Sequence, residues 1–96
     1  PCLLIYTLDY QNALAWLNGE NFSGLPAAPL VTTVNMSLGG PGACDVITQG
    51  KINNLLTKNI SFSIAAGNSN ADASGFTPAN CTDVMTVAAT EQQGFG

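Results

Sequence analysis

Along the chain, short runs of β-branched and apolar residues alternate with stretches whose apolar positions recur at helical spacing, a pattern that predicts strands separated by helices. Leu3 to Tyr6 reads as the tail of a strand. Thr7 or Asp9 can then cap a helix running to Asn18, with Ala13, Leu14, Trp16 and Leu17 on its apolar face and Gly19 as its stop. Asp9 in the first turn suits the helix dipole. Glu20 to Pro29, punctuated by prolines and a glycine, is a surface connection. Leu30 to Leu38 is rich in β-branched residues and predicts an inner strand covered by helices, ended by Gly39-Gly40-Pro41-Gly42. Asp45 can cap a second helix in which Val46, Ile47, Ile52, Leu55 and Leu56 recur near helical spacing as far as Lys58-Asn59, and Gly50 weakens it by about 1 kcal/mol relative to alanine. Ser61 to Ala66 is a further strand, Asn68 to Asn80 a loop by composition, and Val84 to Ala89 a third strand.

Strand, helix and strand, followed by a third strand after a long connection, predict an α/β fold with parallel strands and right-handed crossovers. Ser37-Leu38-Gly39-Gly40 and Ala65-Ala66-Gly67-Asn68 would then both lie beyond the carboxyl ends of parallel strands, where open α/β sheets place their ligands. Both ends consist mostly of small residues, so a ligand backbone can approach closely; as isolated features they are equally ordinary tight turns. Gly67 permits a sharp exit from its strand, and Asn68 presents a side-chain amide just beyond it. Neither end carries the glycine spacing of a dinucleotide fingerprint or the lysine of a phosphate loop, which argues against a nucleotide-binding domain.

Composition narrows the function further. Of the 96 residues, 46% are hydrophobic and only 8% charged, against about 25% charged in an ordinary soluble domain. The composition therefore resembles the interior of something larger. Two lysines against six acidic residues, a net charge of -4, provide no basic surface for nucleic acid. No apolar run reaches the length of a membrane span, and Pro1-Cys2-Leu3 has neither an initiator Met nor a signal-like basic region, so the chain is expected to begin mid-protein. There is no histidine, which removes the commonest general base and metal ligand. Cys2, Cys44 and Cys81 lack the close spacing of a zinc site; three free thiols or one bridge with a cysteine left over both fit.

Val34-Asn35-Met36-Ser37-Leu38-Gly39-Gly40, then Ala65-Ala66-Gly67-Asn68, then Phe76-Thr77-Pro78-Ala79-Asn80 and Val84-Met85-Thr86-Val87-Ala88-Ala89, in this order, resemble the subtilisin-like serine proteases, and most closely their proteinase K-like and proteobacterial extracellular members. The resemblance extends from about Cys2 to Gly96. It implies the central piece of the subtilisin-like fold: a three-layer partial parallel sheet of βαβ units with flanking helices, residues 1–96 being an internal segment of one catalytic domain truncated at both ends. That family cleaves peptide bonds with an Asp, His and Ser triad. Its Asp and His segments fall upstream of the matching region and its Ser segment downstream, so this chain alone is expected to be inactive.

What the resemblance carries over is a substrate cleft. Asn68 matches the family's oxyanion-hole asparagine. Ser37, Leu38 and Gly39 match the strand along which a substrate backbone lies as an added strand. Gly39 and Gly40 on one side, and Ala65, Ala66 and Gly67 on the other, match the walls of the primary specificity pocket, with Phe76 at its floor or in the core; without charge there, apolar or aromatic substrate residues are expected. Cys44 and Cys81 match a cysteine pair of proteobacterial relatives, while the partner of Cys2 would lie upstream. No metal site is expected within the chain; calcium in the parent protein is implied through backbone carbonyls at Thr82 and Val84, with an acidic ligand downstream.

The implied function is thus part of a secreted serine endopeptidase, extracellular or periplasmic, acting on polypeptides; the alternative is a non-catalytic relative that keeps the cleft as a peptide-binding or structural module. Removal of both flanks of a larger sheet predicts exposed apolar edges and self-association of the isolated chain, which sedimentation at high concentration checks. N-x-[ST] triplets start at Asn21, Asn35, Asn59 and Asn80, a pattern too common to imply glycosylation.

Overall fold

The computed structural model describes residues 5–89. The strand tail expected from Leu3 falls mostly outside this range, and Ile5 and Tyr6 lead directly into helix α1, Thr7–Leu17. Tyr6, not Thr7 or Asp9, occupies the N-cap position and gives no side-chain cap; Asp9 sits in the first turn, its N–H donating to the Tyr6 carbonyl at 2.9 Å. The chain divides into two compact units, one holding α1 and the segment Asp45–Ile60, the other Thr33–Cys44 and the chain from Ser61 onward.

In the first unit, helix α2 spans Val46–Leu56 and is capped by Asp45, whose carboxylate accepts from the Thr48 N–H at 2.7 Å. The buried faces differ from the apolar pattern. Residues Gln11, Leu14 and Ala15 are buried on α1, while Ala13 is exposed and Trp16 is half-buried, its indole N–H donating to the Pro26 carbonyl at 2.8 Å. On α2, Thr48, Ile52 and Leu55 are buried, whereas Val46 and Ile47 are 86% and 57% exposed. The two buried polar side chains explain each other: the Gln11 amide donates to Thr48 Oγ1 at 2.9 Å and to both Asp45 carboxylate oxygens at 3.2 Å. Pairing removes the penalty that burial of either would carry alone. Asn18 Nδ2 donates to the Lys51 carbonyl and Lys58 Nζ to the Asn18 carbonyl, fastening the end of α1 to α2 and to the turn that follows it.

In the second unit, β1 (Thr33–Met36), β3 (Ser61–Ala65) and β5 (Met85–Val87) form a parallel sheet in the order β1-β3-β5. The register runs from Thr33 opposite Ser61 to Met36 opposite Ile64, and from Ser63 opposite Met85 to Ala65 opposite Val87. The strand expected over Leu30 to Leu38 is thus shorter, because ladder partners begin only at Thr33, and Leu30 is fully exposed. Among the described residues β1 pairs with β3, and β3 pairs with both β1 and β5. Burial along β3 alternates, with Phe62 and Ile64 inside, as the two-residue period of a strand requires.

The stretch expected to be loop, Asn68 to Asn80, contains a 3-10 turn at Ala73–Gly75 and strand β4, Phe76–Thr77, which pairs antiparallel with β2, Gly40–Pro41. A bond from the Gly42 N–H to the Gly75 carbonyl at 3.0 Å prolongs this pairing. Cys44 and Cys81 form a disulfide with their Cα atoms 5.2 Å apart, within the normal span of such a bridge.

Candidate active-site cleft

Because β1 and β3 are parallel and in register to Met36 and Ile64, their carboxyl ends emerge side by side. Ser37, Leu38 and Gly39 continue past β1 outside both sheets, before Gly40 enters β2. Ala66 follows β3 with its N–H still bonded to the Val87 carbonyl at 2.9 Å, after which Gly67 turns the chain at φ +104°, a conformation open to glycine and strained for other residues. That turn leaves Asn68 and Ser69 exposed just beyond the strand.

Between these ends lies an open cleft of about 390 Å³. One side is formed by Ser37, Leu38, Gly39, Gly40 and Pro41, the other by Ala65, Ala66, Gly67, Asn68 and Ser69. Phe76 and Thr77 of β4 complete the lining. Every residue singled out from the sequence for the cleft is therefore on this one surface. Pro41, Ser69 and Thr77 are additions, and the last belongs to a two-residue strand that no periodicity announces.

Within the cleft's wall the main chains pass closely. A Cβ built on Gly39 would come within 3.2 Å of the Thr77 carbonyl oxygen, so glycine lets the β1 extension lie directly against β4. Among the described residues no charged side chain lines the space. Its chemistry is therefore that of backbone groups, an aromatic ring and a few neutral polar side chains. Among these the Asn68 amide has no hydrogen-bond partner among the described residues, while Ser37 Oγ accepts from Asn35 Nδ2 at 2.9 Å. A neutral amide bearing two N–H donors can stabilise an anionic oxygen without titrating.

Beside the cleft, Asp72 caps the 3-10 turn before Phe76, accepting from the Ser74 N–H at 2.9 Å. That backbone bond, with a second from the Ser74 side chain, holds the Asp72 carboxyl below its ordinary range. No group of three or more His, Cys, Asp or Glu among the described residues could hold a metal ion. No described helix is long and apolar enough to cross a membrane.

The model of the subtilase family, peptidases by name, matches residues 5–94. The chain belongs to the subtilase family, and its α/β fold is subtilisin-like. It is 41% identical over 87 residues to an extracellular protease of Xanthomonas campestris pv. campestris, covering 90% of this chain and 15% of that protein. It is 37% identical over 90 residues to an extracellular basic protease of Dichelobacter nodosus, covering 93% and 15% respectively. A solved protease structure from Pseudoalteromonas arctica superposes with a TM-score of 0.79 at 37% identity, over 88% of this chain and 25% of the other. The chain thus spans only a small part of the length of its relatives.

Proposed function

We propose that this chain supplies the oxyanion donor and the substrate-cleft walls of a secreted subtilase endopeptidase. The observation that carries the proposal is the meeting of both strand ends on one cleft that, among the described residues, has no charged lining and leaves the Asn68 amide at its margin without a partner. As a peptide carbonyl is attacked, its oxygen gains negative charge that exists only near the transition state. A fixed donor aimed at that oxygen therefore lowers the barrier instead of merely tightening substrate binding. Ser37, Leu38 and Gly39, lying outside both sheets, leave backbone groups for a substrate added as a further strand. Gly39, Gly40, Ala65, Ala66 and Gly67 keep the slot open to a side chain, with Phe76 offering an apolar surface to an apolar or aromatic residue.

The remaining chemistry requires groups that these 96 residues do not contain, since a triad needs a histidine and the chain has none. The chain alone is accordingly proposed to be inactive and to function within a protein that carries the Asp, His and Ser. Secretion is proposed from the extracellular proteases among its relatives. A serine-directed fluorophosphonate should label the full-length protein stoichiometrically. A folded full-length protein that takes no label and cleaves no peptide would instead be a non-catalytic relative that uses the cleft for binding.

A further inference from the structure

We infer that Asn80 is the positioning residue of the cleft's β2–β4 wall: its side-chain amide clamps the turn after β2 to the turn before β4 and so holds Phe76 where a bound peptide meets it. Asn80 Nδ2 donates to two carbonyls, that of Gly42 at 2.9 Å and that of Ser74 at 3.0 Å, from segments 38 and 6 residues away along the chain. Its backbone N–H donates to the Phe76 carbonyl at 2.9 Å. One residue thus touches the chain on both sides of a strand pair only two residues long. A ladder that short is marginal without external support. Besides Asn80, that support includes the Gly42–Gly75 backbone bond and the adjacent Cys81 disulfide to Cys44.

The orientation of the amide follows from chemistry. Two carbonyl oxygens converge on one terminal atom of Asn80, and only the NH2 end can satisfy both, because the oxygen would face them repulsively. Asn80 Oδ1 is buried with no partner among the described residues, so the amide is placed by its two donated bonds at the expense of its own acceptor. The same geometry bears on the Asn80-Cys81-Thr82 triplet, because both amide hydrogens are engaged and a glycan on Nδ2 would have to break the clamp.

This inference rests on the proposed reading of the cleft as a peptide site. Asn80 is absent from the cleft lining, and Asn68 belongs to the other wall, so losing the clamp should weaken peptide binding while leaving the chemical step largely intact. The test compares Asn80→Ala with Asn80→Asp in the full-length protein. Aspartate keeps the shape but replaces both donors with an acceptor facing two carbonyls. With a peptide substrate carrying phenylalanine before the scissile bond, both variants should raise KM about tenfold, consistent with the loss of one to two net hydrogen bonds, with kcat within about twofold of the original. The affinity for a non-cleavable peptide of the same sequence should fall in parallel. Asn80→Ser, retaining one hydroxyl donor, should be intermediate and serves if the other variants fail to fold. An Asn80→Asp protein with unchanged KM and peptide affinity overturns the clamp, as does a variant that loses kcat and KM indiscriminately. A wild-type protein that binds the peptide but takes no fluorophosphonate overturns only the catalytic reading, and one that does neither overturns both.

Discussion

Gly39 faces the carbonyl of Thr77 so closely that the first carbon of any side chain would stand 3.2 Å from the Thr77 oxygen. The contact lies where the β1 extension passes β4, and both residues line the cleft. Gly39 does not have a positive φ, which means that alanine is resisted by the neighbour alone and not by its own backbone. The obstacle is a main-chain oxygen in a paired strand, which cannot rotate away as a flexible side chain could. Gly39→Ala should therefore displace β4 by a few tenths of an ångström and destabilise the protein by about 1 kcal/mol, at the low end of overpacking costs. Its peptide affinity should fall more than its stability. A denaturant midpoint and peptide affinity both equal to the original would show that the contact relaxes freely.

On the proposed reading, Asn68 contributes nothing to stability and a great deal to rate. It is exposed and makes no hydrogen bond among the described residues, so Asn68→Ala should leave the thermal midpoint unchanged. In the full-length protein kcat should fall about 100- to 1,000-fold with little change in KM, a magnitude measured for an oxyanion donor within this family. Asn68→Asp should be at least as impaired, because it puts negative charge where negative charge develops. A loss confined to KM would assign Asn68 to substrate binding instead.

Asp72 should make the 3-10 turn before Phe76 sensitive to acid. Its bonds from the Ser74 backbone and side chain favour the carboxylate, so its folded pKa lies below the ordinary value of 3.8. A depressed acid stabilises the fold fully above its unfolded pKa and loses that contribution as pH falls through the folded value. The 3-10 turn before Phe76 should therefore keep its form from neutral pH down to about 4 and loosen only below. The Ser74 amide resonance, followed by NMR, should titrate below 3.8, and the substitution Asp72→Asn should abolish that titration. A midpoint at or above 3.8 would contradict the cap's preference for charge.

The sequence was most informative where local rules act alone. Asp45 before an apolar-periodic run is legible as a helix cap because the carboxylate satisfies N–H groups within its own turn. The β3 strand and the Gly67 exit are legible for the same reason, since burial alternates within one strand and the turn needs one glycine. Partnerships across the chain were not legible. Thr48 and Gln11 occupy buried positions that hydrophobicity assigns to Val46, Ile47 and Ala13, because their polarity is cancelled by a partner 37 residues away. The β2–β4 pair has two residues per strand, too few to leave a period, so the wall of the cleft appears only in three dimensions. Recognition of a family compensated for part of this, because the Cys44–Cys81 pairing came from resemblance and not from spacing.

That bridge is the largest single crosslink on the cleft wall. It joins residues 37 apart in sequence, and the loss of loop entropy it imposes on the unfolded chain amounts to about 4 kcal/mol. Cys44 leads from the β2 turn and Cys81 follows Asn80, so the bridge and the Asn80 amide act on the same two segments. Replacing both cysteines by serine should lower the free energy of unfolding of the full-length protein by about 2–4 kcal/mol, since strain and residual unfolded structure erode the ideal value. The loss should also be local before it is global: amide exchange at Gly42 and Gly75 should accelerate well before exchange in β3, because the short ladder would then rest on hydrogen bonds alone. Equal acceleration throughout the sheet, or a stability change below about 1 kcal/mol, would mean that the wall is held by its hydrogen bonds and that the disulfide is incidental to it.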